Sequence, residues 1–413
     1  MDTAQARPEF SVGGILRDWG EGYRGTHAVS SSEARVMEAL AACRTAALGG
    51  HMEQCDGCAF ERPVYNSCGN RHCPQCQGKL ARRWLQRQMA DLLPVPYFHV
   101  VFTVPAQLEV LVCGNRRLFY GLLFSAVSQA LRRLAKLHLD GEPGVVAVLH
   151  TWGQTLWLHS HVHCVVTGGA LSRDGQRWKS TGEAFLFDVH ELSAEFRKRF
   201  CRLLRRAPLR FGGDSAPLAE PAALKALLDA QEARPWVVYC KRPFAGPGQV
   251  LEYISRYTHR VAISNRRIQD VATDGTVRFS YKDYRDTDAA GQPKEKPQSF
   301  RVMDFIHRFL LHLLPAGFRK IRFYGLLAGK GKARRLDTCR RLLGADAAAV
   351  AVPAAQSADS AGNDAAEPAG MVCPRCGGRM VRSALLPTTD RRSAPAQPRR
   401  ADGTGPPEVR HAA

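Results

Sequence analysis

Cysteine knuckles, a histidine pair and a tyrosine pair are the residues of this 413-residue sequence whose types and spacing suit chemistry. Cys55-x2-Cys58 and Cys73-x2-Cys76 are separated by fourteen residues. In a CxxC knuckle two thiolates point at one ion, and two knuckles close a tetrahedral site with no open position, so the expected metal is a structural Zn²⁺. His51, Cys68, His72 and Cys43 lie close enough to replace a ligand or build a second site, with local packing as the plainer alternative. A further knuckle, Cys373-Pro-Arg-Cys376, stands alone toward the C-terminus. It reads either as half of a zinc site completed from elsewhere or as a remnant.

His159, His161 and His163 alternate along the chain. Residues two apart on a strand share a face, so His161 and His163 would present two imidazoles about 7 Å apart to one ion. Tyr253 and Tyr257 are four apart, which on a helix places both phenols on one face. Each pair alone has an ordinary packing explanation. Together they describe one reaction, in which a divalent ion held by imidazoles polarises a phosphodiester and a tyrosine oxygen attacks it. A phenol with a pKa near 10 needs such help at neutral pH, and Mg²⁺ or Mn²⁺ can give it. No Walker-type glycine loop is present.

The elements that must position these groups are legible as patterns. A short helix begins at Ser30-Ser31-Ser32-Glu33, and a basic amphipathic helix over 77–93 is stopped by Pro94. Residues 97–104 read as a buried strand, 116–139 as a helix, and 144–151 and 156–167 as strands, the last ended by Gly168-Gly169. Helices over 196–206 and 222–233 precede a strand at 236–241 and a helix from 249 to 259 that carries the tyrosines. Strands over 261–268 and 276–284 flank Asp274-Gly275, a type I′ turn signal. A last amphipathic helix covers 300–314, residues 345–370 have linker composition, and 384–413 reads as a disordered end.

The 58 Lys and Arg outweigh 38 Asp and Glu, a net charge of +20 that points to a polyanionic partner, although solubility or membrane-surface contact also uses basic charge. At 45% hydrophobic and 23% charged, the composition excludes a disordered or fibrous chain. No apolar run suffices for a membrane span; the best stretch, 97–113, is broken by His99, Gln107 and Glu109. The start shows no signal-peptide pattern, so the expected location is the cytoplasm, with association to the nucleoid when DNA is bound. In that reducing compartment the thirteen cysteines read as metal ligands rather than disulfides. Arg82 and Arg83, with their basic neighbours, suit DNA phosphates beside the knuckles; Arg256, Arg260, Arg266 and Arg267 do so beside the tyrosines. Residues 318–324 interleave basic and aromatic side chains, which fits either base stacking or a strand packed through its aromatics.

His-hydrophobic-His followed by Tyr-x3-Tyr, with LHTWGQ before it and RYTHRVAISN overlapping the tyrosines, resembles the rolling-circle transposases of the insertion-sequence-ninety-one family. CRTAALGGH, CDGC and NSCGNRHCPQCQ resemble that family's zinc domain, and the likeness runs over residues 35–330. It implies an α+β HUH endonuclease domain on an antiparallel central sheet, preceded by a small zinc-binding domain. It also implies His161 and His163 as ligands of a catalytic Mg²⁺ or Mn²⁺, and Tyr253 and Tyr257 as nucleophiles that form a 5′-phosphotyrosine bond with single-stranded element ends or target. Two tyrosines let one hold a cleaved end while the other cuts. Gln154 is the favoured third ligand, with His159 and His259 as alternatives. The expected divisions are an approach segment over 1–40, a zinc-binding, DNA-contacting domain over 41–94, a nuclease domain over 95–330 and a tail over 331–413. Two rival readings are a zinc-dependent DNA-binding regulator, which needs neither tyrosine, and a hydrolase using His159, His161 and His163 with activated water.

Overall fold

The computed structural model describes residues 10–78, 81, 84, 88, 91–181, 186–241, 261–344 and 372–389. Tyr253, Tyr257, His259, Arg82, Arg83, Arg256 and Arg260 lie outside the described residues, as does the helix expected over 249–259.

The N-terminal module starts with helices α1 (Val12–Thr26) and α2 (Ser31–Ala41). Ser30 and Glu33 form a reciprocal capping box at the start of α2, as their spacing predicts. Strands β1 (Gly50–Cys55) and β2 (Glu61–Tyr65) follow as an antiparallel hairpin. A third strand, β12 (Met380–Leu386), comes from the far end of the chain and pairs antiparallel with the other edge of β1. Residues 372–389, expected in a tail, thus build part of this module.

The central sheet contains β3 (Tyr97–Thr103), β4 (Gly141–Trp152), β5 (Leu158–Ser172), β7 (Val238–Lys241) and β11 (Ile321–Gly325). Its order is β11-β4-β5-β3-β7, with β6 (Trp178–Ser180) on β5, and its pairings are all antiparallel. Alternation along each strand divides the sheet into two faces. Phe98, Val100, Phe102, Val145, Ala147, Leu149, Val162, Cys164 and Val166 turn to one face and pack on α3 (Arg116–Leu139) and α4 (Val189–Arg205). Helix α5 (Pro221–Glu232) closes the same layer through Leu228. On the opposite face Val146, Val148, Val165 and Tyr97 meet Leu336 and Cys339 of α7 (Lys332–Leu342). Farther along that face the side chains are histidines.

A second sheet, β8 (Ile268–Val271), β9 (Thr276–Thr287) and β10 (Pro293–Arg301), runs in the order β10-β9-β8. With α6 (Val302–Leu311) it shares a core with α1 and the foot of the cysteine module, including Val12, Ile15, Cys43, Cys73, Leu156, Phe279 and Phe305. The cysteine module and the second sheet are therefore packed against each other.

Several local expectations shift. Gly168 and Gly169 lie inside β5 instead of ending it: a Cβ on Gly168 would stand 2.9 Å from the Pro96 carbonyl oxygen, and one on Gly169 would stand 2.6 Å from the Trp178 ring. These glycines permit close approach, not termination. The hairpin at Asp274-Gly275 forms, with Gly275 at φ +80°, but its first strand begins only at Ile268, after the short turn Asn265–Arg267. Phe300 belongs to β10 rather than to the following helix. Phe318 is buried against Tyr120 and Phe124, so packing accounts for it and not base stacking. Among the described residues no helix is long and apolar enough to cross a membrane.

Candidate metal centre and zinc clusters

The histidine face is made by one hairpin. β4 and β5 pair so that His150 lies directly opposite His161, and His163 lies opposite Val148 on β4 and Val101 on β3. Strand parity puts all three imidazoles on the face away from α3. Their nitrogens lie within 4.8 Å of one another, and His150 is buried while the other two are half-buried.

The surrounding bonds orient the rings. His161 donates Nδ1–H to the carbonyl oxygen of His159 at 2.7 Å, which leaves its Nε2 lone pair for an ion. His163 Nδ1 stands 2.9 Å from His99 Nε2, with the two rings stacked. An outer imidazole of this kind fixes the ring of a ligand histidine. Trp152 stacks on His150 with centroids 4.7 Å apart. Burial, with help from His159, pushes His161 down to about 4, so it is neutral at pH 7. Three convergent imidazoles, with His161 neutral, can hold a divalent ion.

The hairpin turn is pinned from two sides. Leu156 is buried at φ +61°, a left-handed conformation that a leucine adopts only when held. Its carbonyl accepts from His312 Nε2 at 3.2 Å, while His312 Nδ1 accepts from Thr151 Oγ1 at 3.3 Å. Gln154, expected as the third ligand, sits in this turn and accepts through its backbone oxygen from Arg267. Arg267 also donates to Ser280 O at 2.7 Å and lies over Phe279, so its guanidinium ties the turn to β9. Arg266 is exposed beside it. His159 is exposed next to His161, outside the group of three. Beneath the strand, the buried carboxylate of Glu109 accepts from both Ser160 N and Ser160 Oγ. Burial raises Glu109 to about 7 against those hydrogen bonds.

His150 is the residue that sequence reasoning missed. Its signal was the alternation Val146, Val148, His150, which matches the parity of His161 and His163 once the hairpin register is known.

The cysteines form two tetrads. Cys43, Cys68, Cys73 and Cys76 make the inner one, with Sγ–Sγ separations of 3.7 Å for Cys43–Cys76 and Cys68–Cys76 and 3.5 Å for Cys43–Cys73. Cys55 and Cys58 do not join Cys73 and Cys76 in one site, contrary to expectation. Hairpin β1–β2 carries them to its tip, roughly 17 Å of strand from its base. There they meet Cys373 and Cys376, with 3.4 Å for Cys55–Cys376 and 3.7 Å for Cys58–Cys373. Four thiolates at 2.3 Å from a tetrahedral Zn²⁺ stand about 3.8 Å apart, close to these separations and far from the 2.05 Å or so of a disulfide. All thirteen cysteines are free thiols. In the inner tetrad, hydrogen bonds among the four thiols push Cys43 and Cys76 below the ordinary thiol value and Cys68 and Cys73 above it. His72 is outside both tetrads; its ring accepts from Arg71, and burial pushes it down to about 3. His51 lies beside Glu53.

Comparison with known proteins follows the same division. A family described as "Transposase zinc-binding domain" matches residues 15–104, and one described as "Putative transposase" matches residues 144–335. The chain is 47% identical over 348 residues to "Putative transposase y4qJ" of Sinorhizobium fredii, covering 83% of this chain and 85% of that one. It is 28% identical over 309 residues to "Transposase for insertion sequence element IS801" of Pseudomonas savastanoi pv. phaseolicola, covering 72% and 71%. The zinc-domain match holds all of the inner tetrad and half of the outer one.

Proposed function

The chain belongs to the insertion-sequence-ninety-one family of transposases, and from that premise we propose that it moves DNA by rolling-circle nicking and transfer of a single strand through a covalent 5′-phosphotyrosine. Tyr253 and Tyr257 are the nucleophiles. His150, His161 and His163 hold a catalytic Mn²⁺ or Mg²⁺, and at least the inner cysteine tetrad holds structural Zn²⁺. The bound divalent ion would polarise the scissile phosphate and steady charge as it develops.

The observation that carries this reading is the convergence of three imidazoles beside both ends of the tyrosine-bearing stretch. The chain enters that stretch after Lys241, which pairs with His99, the partner of His163. It leaves at Val261 and Ala262, which line a small cavity with Trp152, the residue stacked on His150. A tyrosine oxygen attacks phosphorus, forming the Tyr Oη–P bond and breaking the bond to the 3′ oxygen, which leaves as a hydroxyl after taking a proton. The reverse attack by a 3′-hydroxyl rejoins DNA and frees the tyrosine without ATP. The second tyrosine can cut while the first holds its strand. A hydrolase would draw on the same imidazoles, with His150 in place of His159, but would leave both tyrosines without a role.

The test incubates purified protein with a labelled single-stranded element end and Mn²⁺. A detergent-resistant adduct should form, should vanish in Tyr253→Phe/Tyr257→Phe, and should fall at least a hundredfold in His150→Ala. Binding with no adduct on a verified end would favour the regulator reading, and cleavage with no adduct the hydrolase.

A further inference from the structure

We infer that Cys55, Cys58, Cys373 and Cys376 hold a second zinc ion that clasps the C-terminal end of the chain onto the N-terminal module, and that this outer ion exchanges more readily than the inner one. The site joins knuckles 315 to 321 residues apart in sequence. It is geometrically complete: the Cys55–Cys376 and Cys58–Cys373 sulfurs approach to 3.4 and 3.7 Å. Backbone N–H groups of Gly57, Arg375 and Gly378 donate to the sulfurs of Cys55, Cys373 and Cys376 at 3.3 to 3.4 Å, the pattern that supports a thiolate by spreading its charge onto amides. Gly378 leaves the space the cluster needs, since a Cβ there would stand 3.1 Å from Cys55 Sγ and 3.2 Å from Cys376 Sγ.

Apolar packing is too small to hold this end of the chain in place. Among the described residues the local core has Cys55, Cys373 and Met380 as its buried members, and β12 is exposed along most of its length, with Leu385 at 80%. Beside the backbone ladder to β1, the Arg379 N–H bond to Asp56 and the guanidinium of Arg375 over Phe60, the four thiols are the strongest tie available. Modules with so little core depend on a metal for folding free energy. The ease of exchange follows from exposure. Cys376 is exposed and Cys58 half-buried, whereas Cys43, Cys73 and Cys76 of the inner tetrad are buried and packed into the core shared with α6. A chelator therefore reaches the outer ion first.

Zinc content of the full chain tests this directly, independently of strand nicking. Two ions per chain are expected in the native protein and one in Cys373→Ser/Cys376→Ser, with amide exchange rising in residues 50–55 and 380–386 and not in α1 or α2. On the native protein a chelator should remove zinc in two phases, the fast one accompanied by the same loss of protection. One ion per chain in the native protein would overturn the proposal. So would two retained by the double variant, a fall from two to none, or release in a single phase.

Discussion

His99 and Glu109 support the histidine cluster from outside it. His99 is buried and reaches His163 through a 2.9 Å contact, so its loss frees the ring of one ligand. His99→Ala should weaken Mn²⁺ binding about 10- to 100-fold, the usual cost of losing an outer-sphere partner, as read by titrating free Mn²⁺. Glu109 supports the strand that carries the ligands through Ser160. Its carboxyl titrates near 7 in the folded chain and lower when unfolded, so the folded state binds the extra proton and stability falls as pH rises from the ordinary carboxyl value toward 7. Glu109→Gln should remove up to about 3 kcal/mol of that slope. Melting curves of wild type and variant without divalent ion, from pH 4 to about 8, read the difference; parallel curves would contradict it. The pair His161 and His163 was legible because a two-residue period needs no tertiary information. His150 was not, because its place is set by a register across eleven residues of hairpin.

At the scale of elements, the β4–β5 turn is where the fold stores its precision. The left-handed Leu156 is held by its burial and by His312, and Arg267 spans from Gln154 to Ser280. Arg267→Met should lower stability by about 1–3 kcal/mol, the scale of lost charge-assisted hydrogen bonds. It should also slow adduct formation more than it weakens DNA binding, whereas a phosphate-contacting arginine would show the reverse when binding and single-turnover rates are compared. Strands and helices with strong periodicity, such as 97–103 and 116–139, were legible to within a residue. Gly168-Gly169 misled because glycine marks both chain ends and close contacts, and only the neighbours Pro96 and Trp178 show which applies.

Over the whole molecule, the net charge of +20 is the feature on which binding to a polyanionic DNA partner would rest. Affinity for single-stranded DNA should fall linearly with salt on logarithmic axes, with a slope of about −0.7 for each phosphate contacted, or about −3 to −5 for four to seven contacts. A slope near zero would contradict an electrostatic footprint. The α+β class and the antiparallel sheet came from the family resemblance, whereas the leading cysteine module was legible from spacing. The return of residues 372–389 to β1 was not, since a lone CxxC gives no address for its partner. The most direct test of the central claim is to digest the trapped protein–DNA adduct and identify the residue bearing the phosphate by mass spectrometry. The account predicts a phosphodiester on Tyr253 or Tyr257; the same bond on any other residue would contradict it.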